Sequence, residues 1–171
     1  MTIQEINDSV TKLKKYHCET DPFRLCRDMQ IKILYSSMGT HDEACKGFFL
    51  ESKRIKTITV NSDLPKIFQR IIVAHELGHA VLHKKSSKIH AFHEMSLFDE
   101  NVPLEKEANL FAAELLLEDS DVLEVLNCDT SFFGAAAALN VPAEHLDFKF
   151  RVMKWKGYKL MKPPILSSSI F

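Results

Sequence analysis

The chain has 171 residues, of which 46% are hydrophobic and 26% are charged, and its formal net charge at pH 7 is −1. These values are typical of an ordinary soluble globular protein with one sizeable core. The small net charge excludes a global attraction to nucleic acid or to an anionic membrane, so such a partner would need a local patch. One basic group near the C-terminal end is a candidate patch: Lys149, Arg151, Lys154, Lys156, Lys159 and Lys162.

The N-terminal sequence and the cysteines predict a cytoplasmic protein without a membrane partner. Glu5 and Asp8 interrupt the apolar run that a secretory signal would need, and no stretch is long enough to span a bilayer. The chain has four cysteines: Cys18, Cys26, Cys45 and Cys128. They form no C-x-x-C pair, so we expect reduced, partly buried thiols and neither a thiolate zinc site nor a redox dithiol.

The first sixty residues predict a helical pair followed by a small sheet. Residues 3–16 place hydrophobic side chains at helical spacing, and Asp21 and Pro22 supply a cap and a first-turn proline for a second, short helix. The segment IKILYS, from Ile31, alternates as a strand does. GFFL and IKTITV flank the polar ESKR and predict a hairpin.

The remainder predicts mainly helices. One helix has Pro65 in its first turn, Ser62 or Asp63 as its cap, and an end near Lys84. Residues 86–102 lack clean periodicity and predict a surface loop or lid. The helix LEKEANLFAAELLL begins at Leu104, and three further segments follow: a short one at 121–126, an alanine-rich helix at 132–139, and a longer helix after residue 142. Residues 161–171 predict a loosely held tail.

The segment HELGHAVLH, residues 75–83, places an H-E-x-x-H pattern inside a predicted helix. Residues four apart lie on one side of a helix, so His75 and His79 can direct two imidazole nitrogens at one ion. The helix is apolar nearly all round and should be buried, where unpaired imidazoles and a carboxylate are costly. A bound cation removes that cost. The alternative is that both histidines bond to backbone while Glu76 reaches solvent.

A catalytic zinc site needs a third protein ligand, and the sequence allows three sources for it. His83 lies roughly 6 Å beyond His79 along the same helix, which is too far to close a compact site. The extended H-E-x-x-H-x-x-G-x-x-H pattern is excluded because Leu82 and Lys85 stand where it needs glycine and histidine. The third source is a glutamate of the helix that begins at Leu104.

Helical phase selects Glu105 rather than Glu107 as that ligand. Glu107 points near Glu114, on the side predicted to be polar. Glu105 shares its stripe with residues that suit close helix packing: Ala108, Asn109, Ala112 and Leu116. We therefore predict Glu105 as the third ligand and Asn109 as a hydrogen-bond partner of a ligand. The alternative is an exposed glutamate that the helix dipole stabilises.

These residues predict zinc-assisted hydrolysis of an amide bond. His75, His79 and Glu105 would hold Zn²⁺, and Glu76, about 100° round the helix from His75, would act as the general base. Glu76 would take a proton from the attacking water and pass it to the leaving amine. The sequence assigns no donor for the oxyanion. Three residues are possible donors, although each is more often a surface or strand-edge residue: His90, His93 and Tyr35.

The pairing of HELGH with EKEANLFAAELL resembles the ImmA/IrrE family of cytosolic zinc metallopeptidases. The second family motif, E-x-x-A-[N/D]-x-F-A-x-x-L-L, is matched by Glu105, Ala108, Asn109, Phe111, Ala112, Leu115 and Leu116. The resemblance covers residues 60–118 and implies the same roles for His75, Glu76, His79 and Glu105. The family often continues with an aliphatic residue and proline, whereas this chain has Leu117, Glu118 and Asp119, so the helix end is expected to differ.

The resemblance implies a short, stand-alone member that cleaves a helix-turn-helix repressor of a phage or mobile element. We therefore expect a mostly helical, zincin-like α+β fold with a small sheet beside the H-E-x-x-H helix. One metallopeptidase domain would span residues 1–160, with the zinc site in 60–118 and a helical part in 120–160. Two alternatives stay open. One is a regulator that binds repressor or DNA without cutting, through the basic C-terminal helix; the other is one half of a toxin–antitoxin module.

Overall fold

Seven helices and three strands make up the parts of the chain that our computed structural model describes, namely residues 1–41, 43–83, 98, 102–127, 130–161 and 163. They are α1 (Ile3–His17), α2 (Pro22–Asp28), β1 (Ile31–Ser36), β2 (Gly47–Ser52), β3 (Ile55–Asn61), α3 (Lys66–Leu82), α4 (Pro103–Leu116), α5 (Asp119–Leu126), α6 (Phe132–Ala138) and α7 (Ala143–Trp155). The mostly helical α+β prediction is confirmed. None of the described helices has the length and apolar content needed to cross a bilayer.

The N-terminal helices begin at side-chain caps. Thr2 accepts a hydrogen bond from the Glu5 backbone N–H, and the Glu5 carboxylate accepts one from the Thr2 N–H, which is a capping box. Asp21 caps α2 by accepting from the Arg24 N–H at 3.0 Å, and Pro22 is the first helical residue. The cap and the first-turn proline predicted for α2 are confirmed.

The sheet has the strand order β1-β3-β2, in which β1 is parallel and β2 antiparallel to β3. Ile58 of the central strand stands opposite Ile33 of β1 and Phe49 of β2. Ile58 and Phe49 are buried in the core. The predicted hairpin turns at Lys53 and Arg54, which both have positive φ, as a tight hairpin turn requires.

The start of α3 differs from the prediction. Pro65 occupies the N-cap position and no side chain caps the helix, so neither Ser62 nor Asp63 has the expected role. The Asp63 carboxylate instead accepts hydrogen bonds from Ser37 Oγ at 2.7 Å and the Gly39 N–H at 2.8 Å. These bonds fasten the segment after β1, and they lower the pKa of Asp63. The helix ends at Leu82, two residues before the predicted end.

Helices α3 and α4 pack side by side in the main core, with the sheet and α1 around them. A second hydrophobic cluster lies between α5, α6 and α7 and includes Leu146, Phe150 and Met153.

The cysteines Cys18, Cys26 and Cys45 are not in disulfides, and burial raises the pKa of Cys26 to about 12. Cys128 lies outside the described residues. The predicted loop or lid at 86–102 also lies outside them, except for Phe98 and Val102, and so does the predicted tail at 161–171, except for Met161 and Pro163.

Candidate metal centre

Helix α3 directs two histidines toward one point. His75 and His79 are both buried, and their Nε2 atoms lie 3.0 Å apart. The spacing of four residues puts the rings one turn apart on the same side, as the sequence predicted. The pair is enclosed because α3 is buried along most of its length, from Ile71 to Ala80.

Helix α4 adds a carboxylate from its first turn. Glu105 Oε2 lies 3.1 Å from His75 Nε2 and 3.4 Å from His79 Nε2. The Glu105 side chain is buried rather than exposed at the helix start, which was the alternative considered. One ligand atom from each of His75, His79 and Glu105 lies within 4.8 Å of the others, so the structure brings together the three predicted ligands.

A small residue on each helix makes this approach possible. A Cβ added to Gly78 would lie 3.3 Å from Ala108 Cα and 3.1 Å from Phe111 Cδ1. These distances are close to the limit of van der Waals contact. The glycine of HELGH and the alanine of the second motif therefore let α4 bring Glu105 to the histidines.

Asn109 lies one helical turn after Glu105 and orients His75. Its Oδ1 is 2.8 Å from His75 Nδ1, and since an amide oxygen only accepts, His75 must carry its proton on Nδ1. When the ring carries this one proton, as it must to bind a metal, its lone pair is on Nε2 and faces the carboxylate oxygen of Glu105. Two acceptors in contact repel each other, and a cation between them removes the repulsion. The donor set thus fits a metal ion.

His83 occupies the next turn of α3 but does not join the three converging atoms. Its Nδ1 lies 2.9 Å from Nδ1 of His79, the nitrogen on the far side of that ring from Glu105. Its Nε2 lies 2.9 Å from Glu107 Oε2. Desolvation lowers the pKa of His83.

The prediction that Glu107 points near Glu114 on a polar face is wrong. Glu107 faces His83, because the column of histidines on α3 extends one turn beyond the H-E-x-x-H motif. Glu114 is 8% exposed, and its two oxygens accept from Lys149 Nζ at 2.7 Å and Lys156 Nζ at 2.6 Å. Helical phase within α4 does not reveal the burial of Glu114, because the lysines that pair with it come from the C-terminal part of the chain.

Glu76 is wholly buried on α3, beside His75 in sequence. The alternative in which its side chain reaches solvent is therefore not observed. A buried carboxylate that adjoins a metal-ligating histidine in sequence is the type of group that acts as a general base in metal-assisted hydrolysis.

A fourth histidine, His145 of α7, was missed by sequence reasoning. It is fully buried, and neither of its ring nitrogens has a hydrogen-bond partner among the residues that the structure describes. Its pKa is lowered to about 3, mainly by desolvation, and the neighbouring His75, Arg70 and Lys149 contribute to this shift in the same direction. The ring is therefore neutral at physiological pH. No sequence pattern marks this residue.

Of the three residues named as possible oxyanion donors, the structure describes only Tyr35. Tyr35 is 53% exposed on β1, with Lys66 Nζ 5.7 Å from its ring centroid. His90 and His93 lie outside the described residues.

The predicted basic patch is partly neutralised. Lys149 and Lys156 form ion pairs with Glu114 and Asp119, whereas Lys154 and Lys159 are exposed. Lys162 also lies outside the described residues.

Comparison with known proteins shows the family. The peptidase family model described as IrrE N-terminal-like domain matches residues 26–151. "Uncharacterized immunity region protein 2" of Bacillus phage phi105 is 34% identical over 81% of this chain and 85% of that relative. "Metallopeptidase ImmA" of Bacillus subtilis (strain 168) is 29% identical over 86% of this chain and 85% of that relative. The predicted resemblance is confirmed, and the chain belongs to the ImmA/IrrE family of metallopeptidases.

Proposed function

We propose that this metallopeptidase is a zinc-dependent, site-specific endopeptidase that cleaves a helix-turn-helix repressor of a phage or mobile element in the cytoplasm. The observation that carries the proposal is the convergence of His75, His79 and Glu105 beside a buried glutamate, Glu76. Ion-binding groups and a general base are the parts that hydrolysis of an amide bond requires.

Zinc suits the donor set better than a harder cation does. Two imidazole nitrogens and one carboxylate oxygen are typical ligands of a catalytic zinc, whereas magnesium and calcium prefer oxygen ligands alone. Three protein ligands leave one coordination position for water or substrate. When bound, the zinc would supply the Lewis acidity that brings the pKa of a water towards neutrality.

Glu76 would move the proton in this reaction. As the carboxylate next to His75, it would accept a proton from the attacking water and later give it to the amine nitrogen that leaves. Asn109 would hold the ring of His75 in one orientation through Nδ1, so that Nε2 stays directed at the metal position. The burial of Glu76 and both histidines keeps bulk water from competing for their hydrogen bonds.

The proposed substrate class rests on the family and on the names of the relatives. One relative is named as a protein of a phage immunity region, and the other as metallopeptidase ImmA. A repressor that maintains such an immunity state is the substrate that the family resemblance implies. Binding to DNA is less well supported, because Lys149 and Lys156 are neutralised by Glu114 and Asp119.

The proposal is tested by co-expressing the repressor of the neighbouring gene with the wild-type protein and with Glu76→Gln. Intact mass measurement should find two repressor fragments with the wild type and an uncut repressor with the variant. Zinc content is measured on both purified proteins, so that loss of the metal is not mistaken for loss of the base. A repressor that stays whole and co-purifies with both proteins would instead indicate regulation by binding.

A further inference from the structure

Three histidines form a column along α3, because His75, His79 and His83 are each four residues apart. The first two direct Nε2 at Glu105. The third, His83, contacts the outer nitrogen of His79 rather than the converging atoms, with the two Nδ1 atoms 2.9 Å apart. His83 is 7% exposed, so its ring nitrogens depend mainly on protein partners.

The ring protons of His79 and His83 can be assigned in only one way if Nε2 of His79 is to bind a metal. The lone pair of His79 must then be on Nε2, so its proton is on Nδ1 and is donated to His83 Nδ1. His83 must accept at Nδ1, so its own proton is on Nε2. That proton points at Glu107 Oε2, 2.9 Å away, and a carboxylate can accept it. Each donor in the series meets an acceptor.

We propose that His83 and Glu107 are positioning residues that fix the tautomer and ring orientation of His79. This inference rests on the proposed zinc site. Glu107 holds His83 in the form that accepts at Nδ1, and His83 holds His79 in the form that offers its Nε2 lone pair. A ligand whose outer nitrogen is held in this way loses less rotational freedom on binding and is more basic.

The arrangement explains why three polar residues alternate along the first turns of α4. Glu105 contacts the metal position directly, Asn109 orients His75, and Glu107 orients His79 through His83. One helix therefore supplies the third ligand and the support for both histidine ligands. A shift of α4 relative to α3 would disturb all three contacts at once.

The test compares zinc affinity, by competition with a chromophoric chelator, in the unmodified protein and in two variants, His83→Leu and Glu107→Leu. Each variant should weaken zinc binding by about 10- to 100-fold. The conservative variant His83→Gln, whose amide oxygen can accept from His79 Nδ1–H, should recover most of the affinity. Unfolding of the metal-free proteins is measured in parallel, because a purely structural contact would lower that stability without a selective loss of zinc affinity.

Nitrogen chemical shifts of the histidine rings give a second measurement. In the zinc-loaded wild type, His79 should carry its proton on Nδ1 and His83 on Nε2, and Glu107→Leu should mix the His83 tautomers. Unchanged zinc affinity in both leucine variants would overturn the proposal, as would a wild-type His83 protonated on Nδ1. Failure of the wild type itself to bind zinc would overturn the proposed function, and with it the proposed role of His83 and Glu107.

Discussion

Gly78 of α3 lies directly against Ala108 of α4, so that a Cβ on the glycine would stand 3.3 Å from the alanine Cα. Glu105 is three residues before Ala108 on α4, and His75 and His79 flank Gly78 on α3. The close contact between the two backbones therefore sets the distance between the carboxylate and the two imidazoles. Packing and the metal centre depend on the same pair of residues.

Gly78→Ala should weaken zinc binding about 10-fold with little change in the stability of the metal-free fold. Alanine is more favourable than glycine within a helix by roughly 1 kcal/mol, which offsets the cost of moving α4 by a few tenths of an ångström. The gain in helix propensity does not offset the effect of this shift on the zinc affinity. Chelator competition and urea unfolding measure the two quantities, with Lys66→Ala, exposed at the start of α3, as the control. Unchanged affinity in Gly78→Ala would show that the ligands tolerate this shift.

Asn109→Leu should lower zinc affinity by about 10- to 100-fold, because His75 loses the acceptor that fixes its tautomer. Asn109→Asp should keep the affinity close to that of the wild type, since a carboxylate oxygen can accept the same proton. Within the described part of the chain the Nδ2 atom of Asn109 has no hydrogen-bond partner, so this exchange gives up no contact seen there. Equal losses in both variants would mean that the side chain acts through packing rather than through its acceptor.

Glu114→Ala should destabilise the fold by about 3–5 kcal/mol, because it removes a partner of Lys149, whose side chain is 1% exposed. Glu118→Ala is the matched control. Glu118 also pairs with a lysine, Lys14, but its side chain is 55% exposed, so the expected loss is below about 1 kcal/mol. Urea unfolding curves give both values. Similar losses of stability in the two variants would show that the ion pair with Asp119 is sufficient to stabilise the buried Lys149 ammonium.

Local patterns in the sequence were sufficient to predict the strands, most helix positions and the three side chains that converge at the candidate metal centre. Helical phase identified Glu105 because that residue and the motif histidines face each other across one helix–helix contact, and each helix carries its own periodicity. The cap of α3 was predicted wrongly because Asp63 is used by Ser37 and Gly39, which are distant in sequence. A propensity rule for caps contains no information about such competing partners.

The contacts that sequence reasoning missed join parts of the chain that show no shared pattern. Glu114 was assigned to a polar face because its partners, Lys149 and Lys156, come from α7 and the residue that follows it. The sequence of α3 shows that His83 lies too far along the helix to be a third ligand, but its contact with Glu107 depends on the position of α4. His145 belongs to no motif. For these residues the packing of the helices had to be known first.

His145 should make the metal-free fold sensitive to mild acid. Its pKa is about 3 in the folded protein and 6.5 as the ordinary value, so the unfolded chain takes up a proton first as the pH falls. The stability is therefore complete above about pH 6.5 and is lost progressively between that pH and about 3. Three neighbouring groups also oppose its protonation: His75 and Arg70 of α3, and Lys149 of α7.

Unfolding free energies at pH 7 and pH 5, measured in chelator for the wild type and for His145→Leu, test this expectation. The wild type should lose about 2 kcal/mol more than the variant between these pH values, since each pKa unit corresponds to about 1.4 kcal/mol. The difference between the two proteins isolates the contribution of His145, because every other residue is the same in both. Parallel pH dependence in the two proteins would mean that the buried ring takes up its proton without cost, through an opening of α7 that lets water reach it.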